Sequence, residues 1–114
     1  VQGQIEGGVV QGIGYALYEN VLWNQFGVMA NDRLTNYIIP TTADIGPLQV
    51  VLMEKGLGAG PEGAKGVGEL PMDGPAPAIV NAIQQALKID VDQIPAMPEL
   101  LLGLSRAQRG SQCQ

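Results

Sequence analysis

The chain has 114 residues, 46% of them apolar, with a net charge of −5 and a pI near 4.4. That length and apolar content suit about one small domain with a core of its own, and exclude a wholly disordered chain. The basic residues, 6 in all, are scattered through an acidic sequence, which excludes the electrostatic footprint of a nucleic-acid or anionic-membrane binder, and no run nears the ~18 apolar residues of a membrane span.

The first segment, VQGQIEGGVVQGIGYALYENVLW, carries Ile5, Val9, Ile13 and Leu17 at helical spacing, with Val10 and Ala16 alongside, and predicts a helix with an apolar stripe. Gly7, Gly8, Gly12 and Gly14 oppose it, each costing roughly 1 kcal/mol against alanine in an exposed helix. Such a helix is worth forming only if its glycines admit a close neighbour, and the Gly8–Gly12 spacing points to packing against another helix or a ligand. Gln2, Gln4 and Gln11 bring amides to this glycine-rich start, fit either to meet a polar heterocycle or phosphate or to cap and solvate a helix end. Glu6 reads as a first-turn acid. Val1 opens the chain inside this structured segment without a methionine, as in a processed chain or a fragment.

The next stretch, to about residue 56, reads as short strands and turns punctuated by Asn31, Asp32, Pro40 and Pro47. Its clearest strand is 49–54, a nearly continuous apolar run through Val50, Val51, Leu52 and Met53. After a glycine-rich loop, PMDGPAPAIVNAIQQALK predicts a helix opening near Asp73 or Gly74, with Pro75 and Pro77 where a missing N–H costs little and Ile79, Ile83 and Leu87 spaced four apart. MPELLLGL predicts a short helical turn with Pro98 near its start, and SRAQRGSQCQ a polar tail ending on a free thiol at Cys113. The pattern is α+β: a few short strands with two main helices, residues 1–104 forming the folded portion and 105–114 the tail. So few strands make a poor self-sufficient sheet.

The loop GAGPEGAKGVGELP, residues 58–71, poses the chemical question. Gly58 and Gly63 have the glycine spacing of a P-loop, but Ala64, Lys65 and Gly66 follow, with no hydroxyl for magnesium. Gly12 and Gly14 begin a dinucleotide fingerprint that Leu17 breaks, with no strand before it. A solvated linker and a loop that holds one carboxylate remain. Val67, Leu70 and Pro71 are apolar and no serine pads the loop, so it is expected to carry Glu69 inward, where a carboxylate removed from water suits general-base work. Lys65, four residues earlier, would oppose that effect if it lay close. Histidine is absent and Ser105 and Ser111 are the only serines, so Ser-His-Asp, Cys-His and histidine-ligated zinc chemistry are excluded within the chain, leaving a carboxylate, Tyr or Lys as any base. Tyr15, Tyr18, Trp23 and Tyr37 have rings that stack on a heterocycle or serve a core or interface.

Three stretches, GQIEGGVVQGIGYALYE, TNYIIPTTADIGPLQVVLME and GPEGAKGVGELPMDGPAPAIVNAIQQAL with the later IPAMPELLL, resemble in order and spacing the C-terminal part of the molybdenum-binding subunit of the xanthine dehydrogenase and aldehyde oxidoreductase family. The resemblance runs from about residue 2 to 104. It implies a portion of a larger molybdenum-binding domain whose whole enzyme hydroxylates a purine, another N-heterocycle or an aldehyde with oxygen from water. It implies that Glu69 is the general base on the Mo–OH group and that Gln4 hydrogen-bonds the pterin. Lys65, Gly66, Val67 and Gly68 match the segment that brings the base beside the metal, which takes its sulfur ligands from the pterin rather than from protein side chains. The implied cofactors are molybdopterin, as such or as its cytosine dinucleotide, with [2Fe-2S] and FAD on partner chains or domains. The implied partners are the remainder of the molybdenum subunit and the iron-sulfur and FAD subunits; a cytoplasmic location is expected because the sequence shows neither a membrane-span nor a signal-peptide pattern. The family's molybdenum-binding region is several times longer than this chain, which by itself is too short to enclose the cofactor. A rival from another class is an interaction module packing its glycine helix on a partner; a non-functional remnant is a third.

Overall fold

The computed structural model describes residues 1–55 and 60–111; Gly58 of the rejected P-loop spacing and the Cys113 thiol lie outside the described residues. Helices α1 (Gln2–Leu17), α2 (Leu70–Asp73), α3 (Pro75–Leu87) and α4 (Pro98–Ser111) are joined by a long irregular stretch and a 3₁₀ turn at Pro61–Gly63.

The residues α1 buries are its small ones, Gly8, Gly12, Gly14 and Ala16, while Ile5, Val9, Ile13 and Leu17 are only half-buried. A Cβ built on Gly8 would stand 2.6 Å from the Pro71 Cβ, and one on Gly12 would stand 2.9 Å from the Met72 carbonyl oxygen. The GxxxG face is therefore the seat for α2 and the start of α3, the close approach that the glycine spacing predicts. Contact with the α2–α3 joint offsets the propensity these glycines cost.

The proline-started helix opens where expected, at Pro75 with Gly74 as its N-cap. The single turn of α2 precedes it, and Gly74 between them keeps helical backbone angles (φ −82°, ψ −38°). It ends where Lys88 turns left-handed (φ 57°) and its N–H donates to Gln84 O at 2.8 Å. The last helix is longer than the short turn expected, continuing through Ser105 into the stretch read as tail. Leu101 and Leu104 pack against the core, and Glu99 in the first turn and Arg109 in the last suit the helix dipole.

The core is small. Ile89, Val91 and Ala96 form it, with Leu17, Val80, Ile83, Leu101 and Leu104 packed around them, and the Ala96 N–H ties the segment to the end of α1 by donating to Ala16 O at 2.6 Å. In the long connection after α1, Asn31 is the buried polar anchor: its Oδ1 accepts the Leu22 N–H at 2.9 Å and its Nδ2 donates to Asn20 O at 2.7 Å. Both ends of the amide are met, as burial requires.

The α+β expectation is corrected in detail, because the chain is mostly helical. Among the described residues β pairing is confined to one isolated antiparallel bridge, Trp23 with Met29. Residues 49–54 join no ladder, and beyond the half-buried Val50 their apolar side chains stay in the open, Val51 at 76% and Met53 at 78% exposure. A run of strand-forming residues becomes a strand only when another backbone meets its N–H and C=O groups, and no described segment does so. The radius of gyration is 18.4 Å, against about 13 Å for a compact chain of this length.

Candidate functional site

Glu69 sits at the joint between the glycine loop and α2. Its carbonyl accepts the Met72 N–H at 2.9 Å, while its carboxylate makes no capping bond and, among the described residues, has no hydrogen-bond partner. The inward placement expected from the sequence is not what the fold gives: Glu69 is exposed, and so is Leu70 at 72%. Pro71 finds its cover on Gly8, but Leu70 finds none within this chain, so the carboxylate stays at the surface beside it.

The first turn of α1 reaches this joint. Gln4 Nε2 donates to Gly68 O at 2.8 Å, across 64 positions of sequence, and among the described residues the Gln4 Oε1 accepts nothing. Lys65 is not paired with Glu69, its Nζ donating to Lys55 O at 3.2 Å; among the described residues the one ion pair within 4.0 Å is Arg33 with Asp32. Lys65, Gly66 and Val67 line a cleft of about 650 Å³ together with Val1, Ile5 and residues 51–55. The residues singled out in the sequence thus fall into three adjoining pieces: 65–67 on the cleft, Gln4 bonded to Gly68, and Glu69 at the joint.

Gly66 and Gly68 differ from the glycines of α1. A Cβ on either would meet nothing within 4 Å, and neither has a left-handed φ. Neither packing nor backbone conformation within this chain calls for glycine there. The clearance beside them, with an unspent amide oxygen on Gln4 one hydrogen bond away, leaves room for a polar group from outside this chain to lie against the loop. Among the described residues no group of three or more His, Cys, Asp or Glu is gathered to ligate a metal ion, and no helix is long and apolar enough to cross a membrane.

Two of the other candidates are spent locally, while Gln11, Tyr15 and Trp23 are exposed. Gln2 Nε2 donates to Glu6 Oε1 at 2.8 Å, one turn along the helix. Tyr37 donates its hydroxyl to Glu19 Oε2 at 2.7 Å, and this bond to a carboxylate holds the phenol above its usual 10.0. The Gln4–Gly68 bond had no signal in the sequence, since nothing local relates residues so far apart.

A family model for a molybdopterin cofactor-binding domain matches residues 1–46, a span that includes Gln4. The chain is 34% identical over 101 residues to the xanthine dehydrogenase molybdenum-binding subunit of Escherichia coli O157:H7, covering 88% of this chain and 13% of that protein. It is 38% identical over 106 residues to the aldehyde oxidoreductase of Megalodesulfovibrio gigas, covering 92% of this chain and 11% of that one. Its fold matches part of the crystal structure of quinoline 2-oxidoreductase from Pseudomonas putida 86 with a TM-score of 0.82 at 32% identity, over 92% of this chain and 14% of that chain. The chain spans between 11% and 14% of the length of the curated relatives it matches. By sequence and by fold it is a relative, over that small share of their length, of the molybdenum-binding subunits of the xanthine dehydrogenase and aldehyde oxidoreductase family.

Proposed function

We propose that this chain is the C-terminal portion of a molybdenum hydroxylase subunit, residues 1–104 forming the part that carries the general base and 105–114 an appendage to it. The whole enzyme oxidises a purine, another N-heterocycle or an aldehyde, with water as the oxygen source. The observation that carries this reading is the joint at Glu69: a carboxylate with no partner among the described residues, next to glycines that neither packing nor φ explains.

In this role the molybdenum cofactor, held as molybdopterin or its cytosine dinucleotide, supplies the two-electron redox chemistry. The protein's share is placement and proton transfer. Glu69 accepts the proton from the oxygen nucleophile, work worth about 10²–10⁴-fold in rate for a well-placed base. Gln4 would offer its amide oxygen to the pterin, and Lys65, Gly66, Val67 and Gly68 would form the segment that brings the base beside the cofactor. Closing the rest of the subunit over Leu70 and Glu69 excludes water from a carboxylate that this chain alone leaves exposed. Electrons leave through [2Fe-2S] and FAD groups on partner chains or domains of a cytoplasmic assembly. That one relative is itself named a subunit supports an enzyme built from several chains.

The test is metal and pterin analysis of the assembly purified from its source. The reading expects molybdenum and pterin in equal amounts with this chain; their absence from an intact assembly refutes it.

A further inference from the structure

We infer that Gln4 is a positioning residue for Glu69, acting through the Gly68 carbonyl, and that α1 clamps the base on both of its sides. The inference rests on the reading of Glu69 as the base. Gly68 O and the Glu69 N–H belong to one rigid peptide plane, so a hydrogen bond on that oxygen sets the direction from which the chain enters Glu69. Little else does. Gly66 and Gly68 have the widest backbone freedom of any residue type, and open space surrounds the place of their missing Cβ atoms.

On the other side, Pro71 is seated on Gly8 and the Glu69 carbonyl is held by the Met72 N–H at 2.9 Å. Gln4 and Gly8 are four apart and so lie on one face of α1, about 6 Å along its axis. One helix therefore holds the residue before the base and the second residue after it. The Gln4 amide has donors and an acceptor to divide, so holding Gly68 O with an N–H leaves its oxygen for the pterin.

The experiment uses the assembled enzyme with Gln4→Leu and Gln4→Lys. Position 4 is exposed in this chain, so neither change disturbs packing within it. Leucine removes the donor; lysine keeps a donor that reaches Gly68 O but loses the amide oxygen. The readouts are kcat, KM, molybdenum and pterin content, and hydrogen exchange of peptides covering residues 66–73. With Gln4→Leu, kcat should fall about 10- to 100-fold, the size of effect that misplacing a reacting group brings. KM should stay within about threefold, since substrate binding is not what the bond supports. Cofactor content should fall in both variants, which lose the amide oxygen, so kcat is counted per bound molybdenum; exchange in Gln4→Leu should speed roughly five- to tenfold, as the loss of one hydrogen bond predicts. Gln4→Lys should recover most of the protection and most of kcat per bound molybdenum, though not the cofactor content. Unchanged exchange in Gln4→Leu overturns the clamp, as does cofactor loss with normal exchange, which would make Gln4 a pterin contact only. Failure of the base reading looks different: Glu69→Gln then turns over normally, while exchange in Gln4→Leu still decides the clamp.

Discussion

Gly8 of α1 lies so close to Pro71 that a Cβ on the glycine would stand 2.6 Å from the proline Cβ. The neighbour is a stiff ring, with the Met72 backbone nitrogen 3.2 Å away behind it, so there is no flexible side chain to yield. Gly8→Ala should therefore destabilise the assembled protein by about 1–3 kcal/mol despite alanine's better helix propensity, an overpacking cost. Gly3 and Gly7, on the same helix, have nothing within 4 Å of a Cβ. Gly3→Ala and Gly7→Ala should stabilise by roughly 0.5–1 kcal/mol. Thermal denaturation of the three variants checks the sign of each.

Asn31 holds the connection after α1 by satisfying Leu22 N–H and Asn20 O at once. Asn31→Ala would leave both backbone groups short of a partner in a part-buried place. The expected loss is about 2–3 kcal/mol, read by denaturant titration.

Tyr37 and Glu19 predict a pH dependence of definite sign. The phenol is raised above 10.0 in the folded chain, mainly by its bond to Glu19. A folded pKa above the unfolded one means that this contribution to stability is fully present below pH 10.0 and is lost as the pH rises through the raised value. Glu19→Gln should lower the Tyr37 titration toward 10.0, measured by tyrosinate absorbance.

Val51 and Met53 stand 76% and 78% exposed in a chain whose radius of gyration, 18.4 Å, is far from compact. Produced without the rest of the subunit, the chain should bind an apolar dye and elute as aggregates. Val51→Lys with Met53→Lys should reduce the dye binding and weaken co-purification with the remainder of the subunit. Retained co-purification would show that this run is not part of the joint.

The helices were legible where sequence carries a local rule. The GxxxG spacing of Gly8 and Gly12 announced a close neighbour, and Pro75 with Ile79, Ile83 and Leu87 announced α3. Residues 49–54 misled because strand propensity describes a side chain's fit to a sheet, not the presence of a second backbone to pair with. The extent of α4 was hidden because Ser105, Arg106 and Gln108 look like tail until Leu101 and Leu104 are anchored on the core. Glu69 was found by residue type and resemblance, but its exposure was not, since the apolar neighbour Leu70 has no cover in this chain. The Gln4–Gly68 bond needed coordinates.

The central claim is that Glu69 is the base, and turnover by Glu69→Gln in the assembled, metal-loaded enzyme tests it most directly. Glutamine keeps the size and shape of the side chain but cannot take the proton. At molybdenum and pterin contents equal to those of the unmodified enzyme, kcat should fall by about 10²–10⁴-fold. Hydroxylation near the unmodified rate at equal cofactor content would contradict the account.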